Sequence, residues 1–412
     1  MEFDTQLDAL AEVAVKVGVG LLPGQKLLIG APLGAAPLAR RIVEHAYKAG
    51  SRLVTVLWED SAVTLARFRH APRDSFAEVP AWLFDATVLA LQEHHAYIHV
   101  SGEDPKLLAG QDARLVATAS EARAVARRRW TQLISDMAVN WCVVPAAVPA
   151  WARMVFPGTT DADAVERLWQ TIFRLCRVDQ PDPVAAWQRH ASDLSRRAQW
   201  LNEQRFAALH VRGPGTDLRI GLVEGHLWVG ASSTASNGAV CIPNMPTEEV
   251  FTMPHAHAVE GHVRASKPLS VRGSLIEDIH VRFAAGRIVE ASATRGQDVF
   301  EQLLDTDEGA RRLGEVALVP NGSLVSRSGL LFYNSLFDEN AASHIALGQC
   351  YSETLGNYGH LTPAQRLQAG ANQSLIHVDW MIGSGQADVD GVTADGARVP
   401  VMRAGEWVPR VR

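Results

Sequence analysis

Four short segments in the second half of the chain gather carboxylates and imidazoles. They are Thr247-Glu248-Glu249-Val250, Gly314-Glu315-Val316, Asn340-Ala341-Ala342-Ser343-His344 running on to Tyr351, and His377-Val378-Asp379. Imidazole nitrogen holds zinc, cobalt or manganese, and carboxylates can bridge two such ions. A mixed Glu/His/Asp set of this kind is what a hydrolytic metal centre needs. Other catalytic signatures are missing. The sequence has no GxxxxGK[ST] phosphate loop, no GxGxxG after a strand, no GxSxG elbow and no HExxH.

Spacing says how these residues could meet. Ser374 to Met381 reads as a strand, so His377 and Asp379, two apart, share a face. Two ionisable groups on one face of a buried strand require a partner, because unpaired buried charge is costly. Residues 339–348 read as a helix, and if it continues, His344 and Tyr351 lie two turns apart on one face. Glu315 would project from the start of a strand, Glu-Val-Ala-Leu-Val. Glu248 and Glu249 alternate if extended, so at most one enters the site, and spacing alone does not choose between them. Glu248 is expected to point outward. His255 and His257 read as structural or supporting residues, and His94 and His95 as a solvated turn.

The elements that must carry these residues divide the chain. In the first half, helices over 4–18 and 36–48 alternate with strands over 26–30, 52–57, 96–100 and 141–144. This β-α-β rhythm predicts a parallel or mixed sheet covered by helices. Helices then dominate from 162 to 202. Beyond Phe206, strands are expected over 207–211, 217–222 and 226–229, followed by several between 263 and 293 with a turn at Ala285-Gly286. A helix over 296–304 interrupts them, and C-terminal hairpins are expected to turn at Asp390-Gly391 and Asp395-Gly396. The expected organisation is an α/β N-terminal domain, 1–205, and an α+β C-terminal metal-binding domain, 206–412.

Composition narrows the function classes. The chain has 412 residues, enough for two or three domains, with 47% hydrophobic and 20% charged residues. A net charge of −6 argues against a general nucleic-acid binder, and the Arg-rich stretch at 123–129 reads as a solvated helix face. The N-terminal residues carry no secretory signal, and the most apolar stretch, Cys142 to Trp151, is broken by Pro145 and Pro149. The four cysteines, Cys142, Cys176, Cys241 and Cys350, form no CxxC pair and read as free thiols. A cytoplasmic protein with no membrane and no nucleic-acid partner is expected.

Longer motifs add a family resemblance. Asn244-Met245-Pro246-Thr247-Glu248-Glu249-Val250-Phe251-Thr252, Gly314 to Val319, Phe332-Tyr333-Asn334 with Asp338 to His344, and His377 to Gly383 resemble the M29 family of metallo-aminopeptidases, the aminopeptidase T and aminopeptidase S group. Ser101-Gly102-Glu103-Asp104-Pro105 and Gly213-Pro214-Gly215-Thr216-Asp217-Leu218 extend the resemblance over nearly the whole chain. It implies a homodimeric exopeptidase with two divalent metal ions (zinc, cobalt or manganese) acting on peptide substrates. By motif, it implies Glu249, Glu315, His344, Tyr351, His377 and Asp379 as ligands, with Glu249 chosen over Glu248. It also implies catalytic roles for Glu315 and for Tyr351, either as a ligand or as a donor to the oxyanion. Three other readings compete. One is a specialised metal-dependent amidase. Another is a ring-cleaving dioxygenase with one iron on His344, His377 and Asp379, against which both Glu249 and Glu315 argue. The third is a non-catalytic metal-binding scaffold.

Overall fold

The computed structural model describes residues 2–271, 273–356 and 361–409. The chain forms two compact units, one of residues 1–188 with 232–245, the other of 189–231 with 246–412.

The first unit is built on a four-stranded parallel sheet. Its strands are β1 (Leu27–Pro32), β2 (Val54–Glu59), β3 (Ala96–Ser101) and β4 (Trp141–Pro145), in the order β2-β1-β3-β4. Leu27, Ile29, Ala96, Ile98 and Val144, which register and two-residue spacing place on one face, are buried, while Tyr97, His99 and Val143 between them are half-buried. Helix α1 (Phe3–Val13) buries Leu7, Leu10 and Ala11 at helical spacing, and α2 (Ala36–Lys48) connects β1 to β2, burying Leu38, Ala39, Ile42 and Ala46. The sequence-derived β-α-β reading of this half matches these elements to within a few residues. The Arg-rich stretch lies on the helix Ala113–Ser135, where Arg123, Arg128 and Arg129 are exposed.

The second unit is built mainly on two antiparallel sheets, beside a short two-stranded one of Leu269–Val271 and Ser274–Ile276. The larger has eight strands in the order 287–292, 280–284, 254–264, 216–222, 208–213, 388–392, 398–403 and 406–407. Ala285 and Gly286 turn the chain between two of them with positive φ, as expected of a primed hairpin turn. The smaller consists of β5 (Val250–Thr252), β6 (Leu313–Leu318), β7 (His344–Gly348) and β8 (His377–Met381), in the order β8-β7-β6-β5. Among the described residues, no helix is long and apolar enough to cross a membrane.

Three local expectations are corrected. Residues 339–348 are not a helix. A short turn, Glu339–Ala341, gives way to extended backbone at Ala342 (φ −165°, ψ 163°) and then to β7. Two alanines favour a helix locally, but β6 and β8 pair with β7 on both sides and satisfy its backbone groups there. Asp390-Gly391 is not a turn, because both residues lie inside the strand Asp388–Val392. The glycine is needed for space: a Cβ at Gly391 would come 2.4 Å from the Phe206 ring. The turn expected at Asp395-Gly396 does occur, with Gly396 at φ 88°. Residues 226–229 form only isolated bridges, His226 to Leu355 and Val229 to Phe251.

Candidate metal centre

Register brings the functional groups together. Residues paired across an antiparallel ladder point to the same face, as do residues two apart along a strand. Glu315 on β6 is opposite Ala346 on β7, and Ala346 is opposite Asp379 on β8. His344 lies two residues before Ala346, and His377 is opposite Gly348. Phe251 of β5 is opposite Ala317, so Glu249, two residues earlier, continues the same alternation. Five of the six expected residues therefore share one face of one sheet. The other face presents Val316, Ile345 and Trp380, all buried in the core.

Glu315 thus sits within its strand, just after a bulge, and not at the strand's start. His344 is on a strand, so the shared helical face expected with Tyr351 does not exist. The strand ends at Gly348, which takes a left-handed φ of 101° and redirects the chain. A Cβ there would come 2.1 Å from the Ile376 carbonyl oxygen. The redirected chain brings the Tyr351 ring edge-on to His377, centroids 4.9 Å apart, and 6.0 Å from Phe251.

The polar contacts are close and mutual. His344 Nε2 is 3.0 Å from Glu249 Oε2, 3.5 Å from Glu315 Oε1 and 3.9 Å from Asp379 Oδ1. His377 Nε2 is 3.6 Å from Glu315 Oε2 and 3.4 Å from Asp379 Oδ1. Each imidazole is oriented from behind: His344 Nδ1–H donates to the Ala342 carbonyl (3.1 Å) and His377 Nδ1–H to the Gln349 carbonyl (2.7 Å). Backbone acceptors at Nδ1 leave Nε2 as the atom presented to a ligand.

The donor atoms form two overlapping triplets, Glu249–Glu315–His344 and Glu315–His377–Asp379. Within each, the atoms lie within 4.8 Å of one another. Glu315 belongs to both and turns a different oxygen to each imidazole. Glu249 Oε2 and Asp379 Oδ1 are buried and accept no well-directed hydrogen bond. A buried carboxylate oxygen left this way is costly in a protein interior, and a cation removes the cost. The nitrogen and oxygen donor set fits a divalent metal.

Charge within the cluster moves its protonation equilibria. Burial opposes protonation of His344, but Glu249 and Glu315 outweigh it and hold the ring well above the ordinary histidine range. Burial likewise opposes protonation of His377, but Asp379 and Glu315 raise it to about 10. Glu315 is pushed up to about 7, chiefly by burial and further by the Asp379 and Glu249 charges. Burial would raise Asp379, but His377 and His344 outweigh it and keep it below the usual carboxylate value. Tyr351 is held well above 10 by burial and the surrounding carboxylates, so its phenol stays protonated.

One buried acid escaped sequence reading, and another is more buried than expected. Glu339 is buried, and burial together with the nearby Asp379 and Glu249 charges pushes its carboxyl well above the usual range. Its presence in the Asp338-to-His344 motif was the available signal, but the supposed helix concealed which way it faced. Glu248 was expected to point outward, yet it is buried with its carboxylate 3.8 Å from His190. His255 and His257 join neither triplet. The His255 ring accepts the His257 N–H within the strand Pro254–Arg264.

Residues 3–407 match the family model described as Thermophilic metalloprotease (M29). The chain belongs to the M29 metalloprotease family. It is 48% identical over 406 residues to Aminopeptidase T of Thermus aquaticus, covering 98% of this chain and 99% of that one. It is 41% identical to Aminopeptidase AmpS of Bacillus subtilis, covering 98% of this chain and 99% of that one. The solved structure of wild-type AmpT from Thermus thermophilus matches this M29 chain with a TM-score of 0.93 at 47% identity, covering 99% of it and 100% of the AmpT chain. A 2,5-dihydroxypyridine dioxygenase structure from Pseudomonas putida KT2440 matches at a TM-score of 0.52 and 13% identity, covering 98% of each chain, which is a likeness of fold alone. Family membership implies divalent metal use.

Proposed function

We propose that this M29 protein is an aminopeptidase that removes N-terminal residues from peptides, using two divalent ions held at the β5–β8 face. Glu249, Glu315 and His344 would hold one ion, and Glu315, His377 and Asp379 the other, with Glu315 shared. The observation that carries this reading is the pair of overlapping triplets, in which two buried carboxylate oxygens accept no well-directed hydrogen bond. Bound ions supply an activated water at neutral pH and polarise the scissile carbonyl.

The chain's own groups do the rest. The Nδ1–H bonds keep both imidazole Nε2 atoms aimed inward. The protonated Tyr351 phenol is a hydrogen-bond donor beside His377, suited to an oxygen that gains negative charge. Surplus carboxylate makes the pocket attractive to a free α-ammonium group, which would account for a preference for N-termini. Zinc, cobalt and manganese all suit this donor set. The four buried free cysteines agree with a reducing, cytoplasmic setting, and the family resemblance adds a homodimer.

The test strips the protein with chelator and reloads it separately with zinc, cobalt or manganese. Release of leucine from a leucyl-peptide, and none from its N-acetylated form, is the expected outcome. Stoichiometric metal uptake with no turnover by any ion would overturn the proposal.

A further inference from the structure

Two adjacent glutamates precede β5, both are buried, and only Glu249 joins the triplets. Alternation sends neighbouring side chains to opposite faces, so a one-residue slip would exchange their places. The β5–β6 ladder sets the register from Val250 on, and two further side chains hold the residues just before it.

Asn340 is fully buried in the turn before β7. Its Oδ1 accepts the Glu248 N–H at 2.6 Å. Its Nδ2 donates to the Leu336 carbonyl at 3.0 Å and to the Pro246 carbonyl at 3.4 Å. Its own carbonyl accepts the Ser323 hydroxyl at 3.1 Å. The side-chain amide thus uses both its donor and its acceptor ends, which an isosteric carboxylate could not reproduce. From helix α3 (Pro183–Gln204), His190 Nε2–H donates to the Thr247 carbonyl at 2.8 Å and stands 3.8 Å from Glu248 Oε2. Pro246, Thr247 and Glu248 are each held, and the next residue is Glu249.

We propose that Asn340 and His190 are positioning residues for the metal cradle: they lock the register that delivers Glu249, and not Glu248, to the cluster. This rests on reading the cluster as a metal centre. Partners that orient a ligand from outside the coordination sphere govern metal affinity, and losing one costs roughly 10- to 100-fold.

Chelator-stripped wild type, Asn340→Ala, Asn340→Asp, His190→Ala and His190→Gln would be titrated with zinc against a competing chelator, with circular dichroism to establish folding. Asn340→Ala, Asn340→Asp and His190→Ala should bind zinc about 10- to 100-fold more weakly while folded. KM for a leucyl-peptide at saturating zinc should be unchanged. His190→Gln keeps an N–H for the Thr247 carbonyl and should recover most of the affinity. A purely structural role would lower Tm and leave the zinc affinity of the folded protein unmoved, and wild-type affinity in the alanine variants overturns the proposal. Should Asn340→Ala not fold, the His190 pair decides alone. Absence of zinc binding by the wild type would instead sink the metal-centre reading.

Discussion

Glu315 is the residue on which the cluster turns, because it alone belongs to both triplets and faces one imidazole with each oxygen. Glu315→Gln keeps the shape but removes the charge and makes one oxygen a nitrogen that cannot bind a metal. We expect the proposed ions to be held less tightly, by more than the roughly 100-fold typical of losing an outer partner, and turnover to fall with them. Full metal loading with wild-type turnover would refute the shared-ligand role. Protonation adds a second expectation. His377, raised to about 10, and His344, also raised, carry protons at neutral pH when no metal is bound. A divalent ion must displace them, so loading should release protons and weaken as pH falls. Zinc added to stripped protein in weak buffer should acidify the solution, and a pH-independent affinity would contradict this.

At the scale of elements, the β6–β7–β8 ladder matters more than any single strand. Ala346 is paired with Glu315 on one side and Asp379 on the other, so its small side chain leaves the space between two carboxylates. Ala346→Leu would place three more carbons there. The expected result is loss of metal binding, with an overpacking cost of about 1–3 kcal/mol that leaves the fold intact. Retention of wild-type zinc affinity would show that this gap is not the ion's place. Sequence alone located β8 and its His377/Asp379 face, because period-two spacing in an apolar run is a local signal. It missed β7, because strand status there comes from pairing with β6 and β8, partners remote in sequence.

At the scale of the whole molecule, the cluster links stability to metal and pH. A group whose folded pKa is raised contributes stability that is complete below its unfolded value and lost as pH rises through its folded value. For Glu315 that loss runs from 4.5 to about 7, and for His377 from 6.5 to about 10. Both have the same sign, so these two groups make the metal-free protein less stable as pH rises. Metal binding strengthens over the same range, since fewer protons compete. The Tm difference between loaded and stripped protein should therefore widen from about pH 5 to about pH 9. A constant or shrinking difference on thermal melts would refute the linkage.

Candidate metal ligands and much of the scaffold are legible in local sequence. Residue types name a metal centre, ordered motifs name its family, and local periodicity places β1 to β4, α2 and β8, since each signal is contained within a few neighbouring residues. Tertiary structure alone decided that 339–348 turns and extends, that Glu339 and Glu248 are buried, and that Asp390-Gly391 runs straight past the Phe206 ring. Those outcomes depend on ladder partners and packed rings far away in the chain. Local preference is worth a few tenths of a kcal/mol per residue, too little to resist the burial and hydrogen bonding that distant segments impose.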